Sequence, residues 1–203
     1  LKEGIPTQTF TAKVRPGDIK YVDLDQNGVI DTYDQMAIGG TENPEIVYGF
    51  GVNLRWKDLD FGAMFQGIGR TWRILSSNIM PASNKGSMYN IFDNYQDRWT
   101  VDNQSQDVFY PRADYGPNAN NSQKSTWWLR NMSFLRLKNV ELGYSCPKKW
   151  LQGFVISNAR VFVRGTNLLT FSKFDLWDPE LATGDGAKYP AMKSVSVGFD
   201  ITF

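Results

Sequence analysis

The chain has 203 residues, 41% of them hydrophobic and 14% aromatic, and its 22 Lys and Arg against 21 Asp and Glu leave a formal net charge of +1. Such a balance provides no field to recruit nucleic acid, and no apolar run reaches the roughly 18 residues that a membrane-crossing helix needs. One cysteine, Cys146, excludes an internal disulfide framework, and the absence of histidine means that any metal here is held by oxygen.

The first element in chain order is an acidic loop, Asp23-Leu24-Asp25-Gln26-Asn27-Gly28-Val29-Ile30-Asp31-Thr32-Tyr33-Asp34. Oxygen-bearing side chains occupy positions 1, 3, 5, 9 and 12, with glycine at 6, the register of the calcium loop of EF-hands and dockerins. A hard cation takes about six to eight oxygens, and a curled loop turns alternate residues inward. The expected ligands are Asp23, Asp25, Asn27, Val29 through its carbonyl, Asp31 and Asp34, with Ile30 pinning the loop to its support. Asp34 stands where an EF-hand carries glutamate. The extended Tyr21-Val22 flank suits a structural Ca2+ rather than a sensor. An Asx-rich turn without metal is the other reading.

Five segments alternate as strands do. Over 46–56 one face carries Tyr48, Phe50, Val52, Leu54 and Trp56 and the other Gly49, Gly51, Asn53 and Arg55. After a Lys57-Asp58 turn, 59–67 repeats the pattern and completes a hairpin. A third strand is predicted at 134–145, with a phase jump at Lys138-Asn139 that suggests a β-bulge. A fourth covers 159–170. The fifth, 193–203, alternates to the last residue, Phe203. Each is about the 9–11 residues of a tilted membrane crossing, and Trp56 and Phe203 sit where an interfacial aromatic belt belongs.

The connections are very short (Lys57-Asp58), very long (about 68–133), moderate (146–158) and long (171–192). Strands that cross a bilayer alternately put both long connections on one side, as in outer-membrane barrels with brief periplasmic turns and long extracellular loops. The fold class expected is therefore all-β, the C-terminal part of a large antiparallel transmembrane β-barrel whose lumen face carries Arg55, Gln66, Arg160 and Arg164. A barrel needs about eight strands at least, so the chain, which opens on Leu1 without a signal peptide, reads as the tail of something longer. A soluble β-sandwich with a large insertion has the same alternation. In function, its counterpart is a secreted calcium-stabilised carbohydrate-binding module.

The long connection holds Trp72, Tyr89, Phe92, Tyr95, Trp99, Phe109, Tyr110, Tyr115, Trp127 and Trp128. Such rings suit sugar faces or protein interfaces, and they also pack on one another to order a loop. Trp127 and Trp128 precede a strand and are expected as rim anchors at the outer leaflet. A glycosidase would need two carboxylates at a defined separation. Asp178 with Glu180, or Asp93 with Asp97, can be proposed, but neither pair has a catalytic setting, and no enzyme is expected.

Several blocks resemble one family. They are Gly17-Asp18-Ile19-Lys20-Tyr21-Val22-Asp23 running into the acidic loop, Pro44, Tyr48-Gly49-Phe50, Asp97-Arg98-Trp99-Thr100, Tyr110-Pro111-Arg112, the segment from Phe134 to Tyr144, Gly165-Thr166-Asn167-Leu168, Asp178-Pro179-Glu180, Tyr189-Pro190 and the terminal Phe203. In order and over nearly the whole chain, they resemble the SusC/RagA class of TonB-linked outer-membrane proteins of the Bacteroidetes. The resemblance implies the end of a TonB-dependent barrel of about 22 strands, with the plug domain outside this chain. It implies a nutrient importer of the cell outer membrane that takes up oligosaccharides or oligopeptides. Implied partners are a SusD-like lipoprotein lid, the TonB complex, outer-membrane lipid and the barrel-assembly machinery, for which Phe203 resembles the recognition signal.

Overall fold

The computed structural model describes residues 4–11, 13–76, 92–114, 116, 118–153 and 155–203. In chain order the strands are β1 (Thr7–Gln8), β2 (Val29–Ile30), β3 (Ile46–Trp56), β4 (Leu59–Gly69), β5 (Trp72–Ile74), β6 (Leu129–Asn131), β7 (Phe134–Ser145), β8 (Asn158–Ser172) and β9 (Ser194–Thr202). The one α-helix among the described residues is the four-residue α1 (Lys148–Leu151). Among the described residues no helix is long and apolar enough to cross a membrane. The chain forms two compact units, one of Leu1–Gly39 and Ile74–Arg130, the other of Gly40–Arg73 and Asn131–Phe203.

The second unit is a five-stranded sheet in the order β3-β4-β7-β8-β9, antiparallel throughout. Residues paired across an antiparallel ladder share a face, so the register states what each face carries. Leu54, Phe61, Leu142, Val163 and Val197 stand abreast across all five strands, and Trp56, Leu59, Tyr144, Val161 and Phe199 form the next row. The opposite face carries Asn53, Gly62, Glu141, Arg164 and Ser196 in one row. The apolar face is open: Leu54 is 59% exposed and Val197 62%. A period of two, held in phase over five strands, makes one sheet with two chemistries.

The hairpin between β3 and β4 turns in two residues, with Lys57 at φ 55°, the positive φ that matches the strands' own twist. Further up, Met64 and Phe65 are consecutive on β4, yet their partners on β7 are Asn139 and Leu137, leaving Lys138 as an extra residue. On β8 those same two β7 residues face Thr166 and Leu169, so Asn167 and Leu168 lie between, Asn167 at φ 55°. Each successive strand thus carries one residue more at this level. Stepped bulges bend a sheet and increase its twist, which is the curvature a closing wall requires.

In the first unit β1 pairs with β2 in parallel. Ile19, Ile30, Leu75, Tyr110 and Trp128 are buried. The segment after Gly17 is bound to the region around residues 110–121 by polar contacts: Ile19 N–H donates to Asn121 Oδ1 at 2.9 Å, Asn120 Nδ2 donates to the Ile19 carbonyl at 2.9 Å, and Arg112 N–H donates to the Gly17 carbonyl at 2.8 Å. Much of what reads in sequence as one long loop, 68–133, is therefore part of a folded unit built with the N-terminal residues.

Candidate transport wall and metal loop

On the polar face, Arg160 of β8 donates through Nε to Asp60 Oδ1 of β4 at 3.0 Å, through Nη2 to Glu141 Oε1 of β7 at 2.6 Å, and through Nη1 to Asp200 Oδ2 of β9 at 3.3 Å. Arg164 Nε reaches Glu141 Oε2 at 2.6 Å. One guanidinium thus joins four strands, because its fan of donors can serve several carboxylates at once. Phe162 lies between the two cations, 5.0 Å from Arg160 and 5.2 Å from Arg164. Arg55 is paired with Asp60 and Gln66 with Arg136 in the ladder, so all four residues expected to line a lumen share this face.

Of the four carboxylates among its expected ligands, the acidic loop brings three together: oxygens of Asp23, Asp25 and Asp34 lie within 4.8 Å of one another. Gly28, at φ 84°, makes the turn that places its own N–H on Asp23 Oδ2 at 2.8 Å. Asn27 Nδ2 donates to Asp25 Oδ2 at 2.8 Å while its Oδ1 accepts from Val29 N–H at 2.7 Å, and the Asp31 carboxylate, which accepts from Tyr33 N–H at 2.7 Å, is not among the three. Asp34 accepts from Asp31 N–H at 2.9 Å and Leu24 N–H at 2.7 Å, which hold its carboxyl below the usual carboxylate range. Ile30 is buried and anchors the loop through β2. Three converging carboxylates are a donor set for a hard cation.

The aromatic residues divide. Tyr95, Phe109, Tyr110 and Trp128 pack as a ring cluster with centroids 4.6–6.3 Å apart. Trp128 is 0% exposed and its indole N–H donates to the Asn121 carbonyl at 2.9 Å. This corrects the expectation of a rim anchor: Trp128 is a core residue, since a buried indole needs an acceptor and finds one inside the protein. The Trp127 indole N–H donates to the Phe109 carbonyl at 3.1 Å. Burial pushes the Tyr110 and Tyr21 phenols up to about 12, so both stay neutral donors at physiological pH. Trp99 lies against Gly17, and Trp72 against Gly40. Phe92 is exposed, while Tyr89 and Tyr115 fall outside the described residues.

Two anchors join blocks that are remote in sequence. Asp18, whose side chain is almost wholly buried, accepts from Arg112 Nη2 at 3.0 Å and from Asn121 Nδ2 at 3.0 Å, and Arg112 also binds Asp114 at 2.9 Å. Arg136 of β7, itself buried, binds Asp178, and its Nη1 lies 3.0 Å from Glu180 Oε2; Lys138 Nζ reaches Glu180 Oε1 at 3.2 Å. Asp178 and Glu180 are thus ion-pair partners. Asp97 accepts from Phe109 N–H at 3.0 Å and Asp93 from Asn94 N–H at 2.9 Å. Nothing in the sequence of these blocks by itself pairs them. An acidic Asp-Pro-Glu and an arginine on a polar strand face were the available signals.

A curved antiparallel sheet, apolar and open on one face and charged on the other, is the wall of a β-barrel. No family model matches the chain. It is 32% identical over 202 residues to the TonB-dependent receptor P26 of Formosa agariphila, covering 92% of this chain and 20% of the relative. To the TonB-dependent receptor SusC of Bacteroides thetaiotaomicron it is 24% identical, over 97% of this chain and 19% of the relative. Among solved structures, the RagAB peptide importer in its open-open state matches 91% of this chain and 20% of its own at 32% identity with a TM-score of 0.70, and in its closed-closed state 90% and 20% at 33% with 0.69. The chain belongs to the SusC/RagA class of TonB-dependent receptors and spans about a fifth of the length of these relatives.

Proposed function

We propose that this chain forms part of the barrel wall of a nutrient importer in the outer membrane, driven through TonB and capped by a SusD-like lipoprotein. The observation that carries this reading is the pair of sheet faces. Rows such as Leu54, Phe61, Leu142, Val163 and Val197 expose aliphatic and aromatic surface of a kind that lipid covers. The other face holds its charges in ion pairs, as a polar lumen permits. Both long connections leave the same end of the sheet. Similarity to the RagAB peptide importer supports an oligopeptide as cargo, and an oligosaccharide is the other cargo class that the family resemblance implies.

Asp23, Asp25 and Asp34, with Asn27, Val29 and Asp31, would hold Ca2+, whose charge offsets the mutual repulsion of the carboxylates and stiffens the loop. Phe203, exposed after β9, is the proposed assembly signal. Expression of the full-length protein decides between this reading and a secreted carbohydrate-binding module. The importer stays in detergent micelles, migrates differently before and after heating, and loses uptake of labelled oligosaccharide or oligopeptide when TonB is deleted. A protein soluble without detergent overturns it.

A further inference from the structure

The connection between β8 and β9, residues 173–193, is held on the polar face of the sheet. Arg136 is paired with Gln66 on one side and Thr170 on the other, and its row carries Gly49 of β3. By register this is the same face as Glu141 and Arg164, since the extra residue Lys138 restores the phase between Arg136 and Asn139. The bulge also lets Lys138 join Arg136 in reaching one acid, Glu180. Asp178 binds Arg136 and caps the turn Pro179–Leu181 by accepting from Glu180 N–H at 3.0 Å.

The connection is built to hold its own shape. Phe174 is buried and meets Trp177 edge-on at 4.8 Å, Trp177 lies on Gly186, and Lys188 Nζ donates to the Leu181 carbonyl at 3.2 Å. Where it rejoins the sheet, Asn167 Nδ2 donates to the Met192 carbonyl at 3.0 Å. With the Arg136 side chain 2% exposed and that of Asp178 13%, the anchoring pair is shielded from solvent, and removing one partner would strand the other charge.

We propose that residues 173–193 form a fixed inward strap that narrows the passage at the long-loop end of the wall, with Arg136 as its positioning residue. This inference rests on the barrel reading, which makes the polar face the inner one. A strap of this kind lies in the path of cargo and is held by the wall itself.

The test uses the full-length protein with Cys146→Ser and spin labels at positions 182, on the strap, and 196, on the polar face of β9. Wild type should give one narrow distance distribution. Arg136→Gln, and separately Asp178→Asn with Glu180→Gln, should broaden it and move it to longer distance. A broad distribution in wild type, or an unchanged one in an assembled variant, overturns the strap. Should Arg136→Gln fail to assemble, the loop-side pair, which alters no strand residue, provides the comparison, and the wild-type distribution is decisive by itself. Loss of heat-modifiable migration in wild type would instead refute the barrel.

Discussion

Phe162 of β8 lies directly against Gly198 of β9, its ladder partner, so closely that a Cβ at position 198 would overlap the ring. The pair explains a glycine inside an otherwise regular strand. Gly198→Leu is expected to push β9 away from β8, at a cost of about 1–3 kcal/mol, and to lower the yield of heat-modifiable full-length protein. Adding Phe162→Ala to the same chain should restore part of that yield. If Gly198→Leu assembles as wild type does, the contact is not what aligns the two strands.

Neighbouring residues on β9 should respond oppositely to charge. Val197 stands on the apolar face and Ser196 on the polar one. Val197→Lys places an ammonium against hydrocarbon, a loss of about 2–4 kcal/mol near the bilayer midplane, and should abolish assembly into detergent-extractable barrels. Ser196→Lys should be tolerated. Equal tolerance of both would remove lipid as the partner of the apolar face.

Arg160 ties β4, β7, β8 and β9 through three carboxylates. Arg160→Met leaves Asp60 and Glu141 without this partner. Because the side chains keep partial access to water, the expected destabilisation is on the order of 1 kcal/mol, read as a lower unfolding midpoint in denaturant. The deficit should shrink as salt screens the stranded acids.

The acidic loop should bind Ca2+, measured calorimetrically on full-length protein, and Asp25→Asn should weaken that binding. Gly28→Ala should weaken it too, because φ 84° strains any side chain at that turn. Acid acts through Asp34, whose carboxyl lies below its ordinary value because Asp31 and Leu24 donate backbone N–H groups to it. A depressed folded value means that its contribution is present above the unfolded value of about 4 and is lost as pH falls through the lower folded value. Protection of the loop amides, taken relative to intrinsic exchange at each pH, should therefore persist at mildly acidic pH and fall only as pH drops below the usual carboxylate range. Loss of that protection well above this range would sink the assignment.

Alternation by itself carried the wall. Tyr48 to Trp56, Phe61 to Phe65 and Val195 to Phe203 declare their faces because a strand's side chains have a period of two whatever lies beside them, and even the bulge at Lys138 shows as a phase jump. The convergence of Asp23, Asp25 and Asp34 was legible for the same local reason: their spacing is that of side chains turning inward along one short curl. Tertiary structure alone decided which remote blocks meet. Asp18 with Arg112, and Arg136 with Asp178, are pairs between residues dozens of positions apart, and nothing periodic links such positions. It also placed Trp128 inside rather than at a membrane rim, because burial depends on what the rest of the chain packs around a ring, whereas a strand's two faces are set by the backbone geometry of consecutive residues.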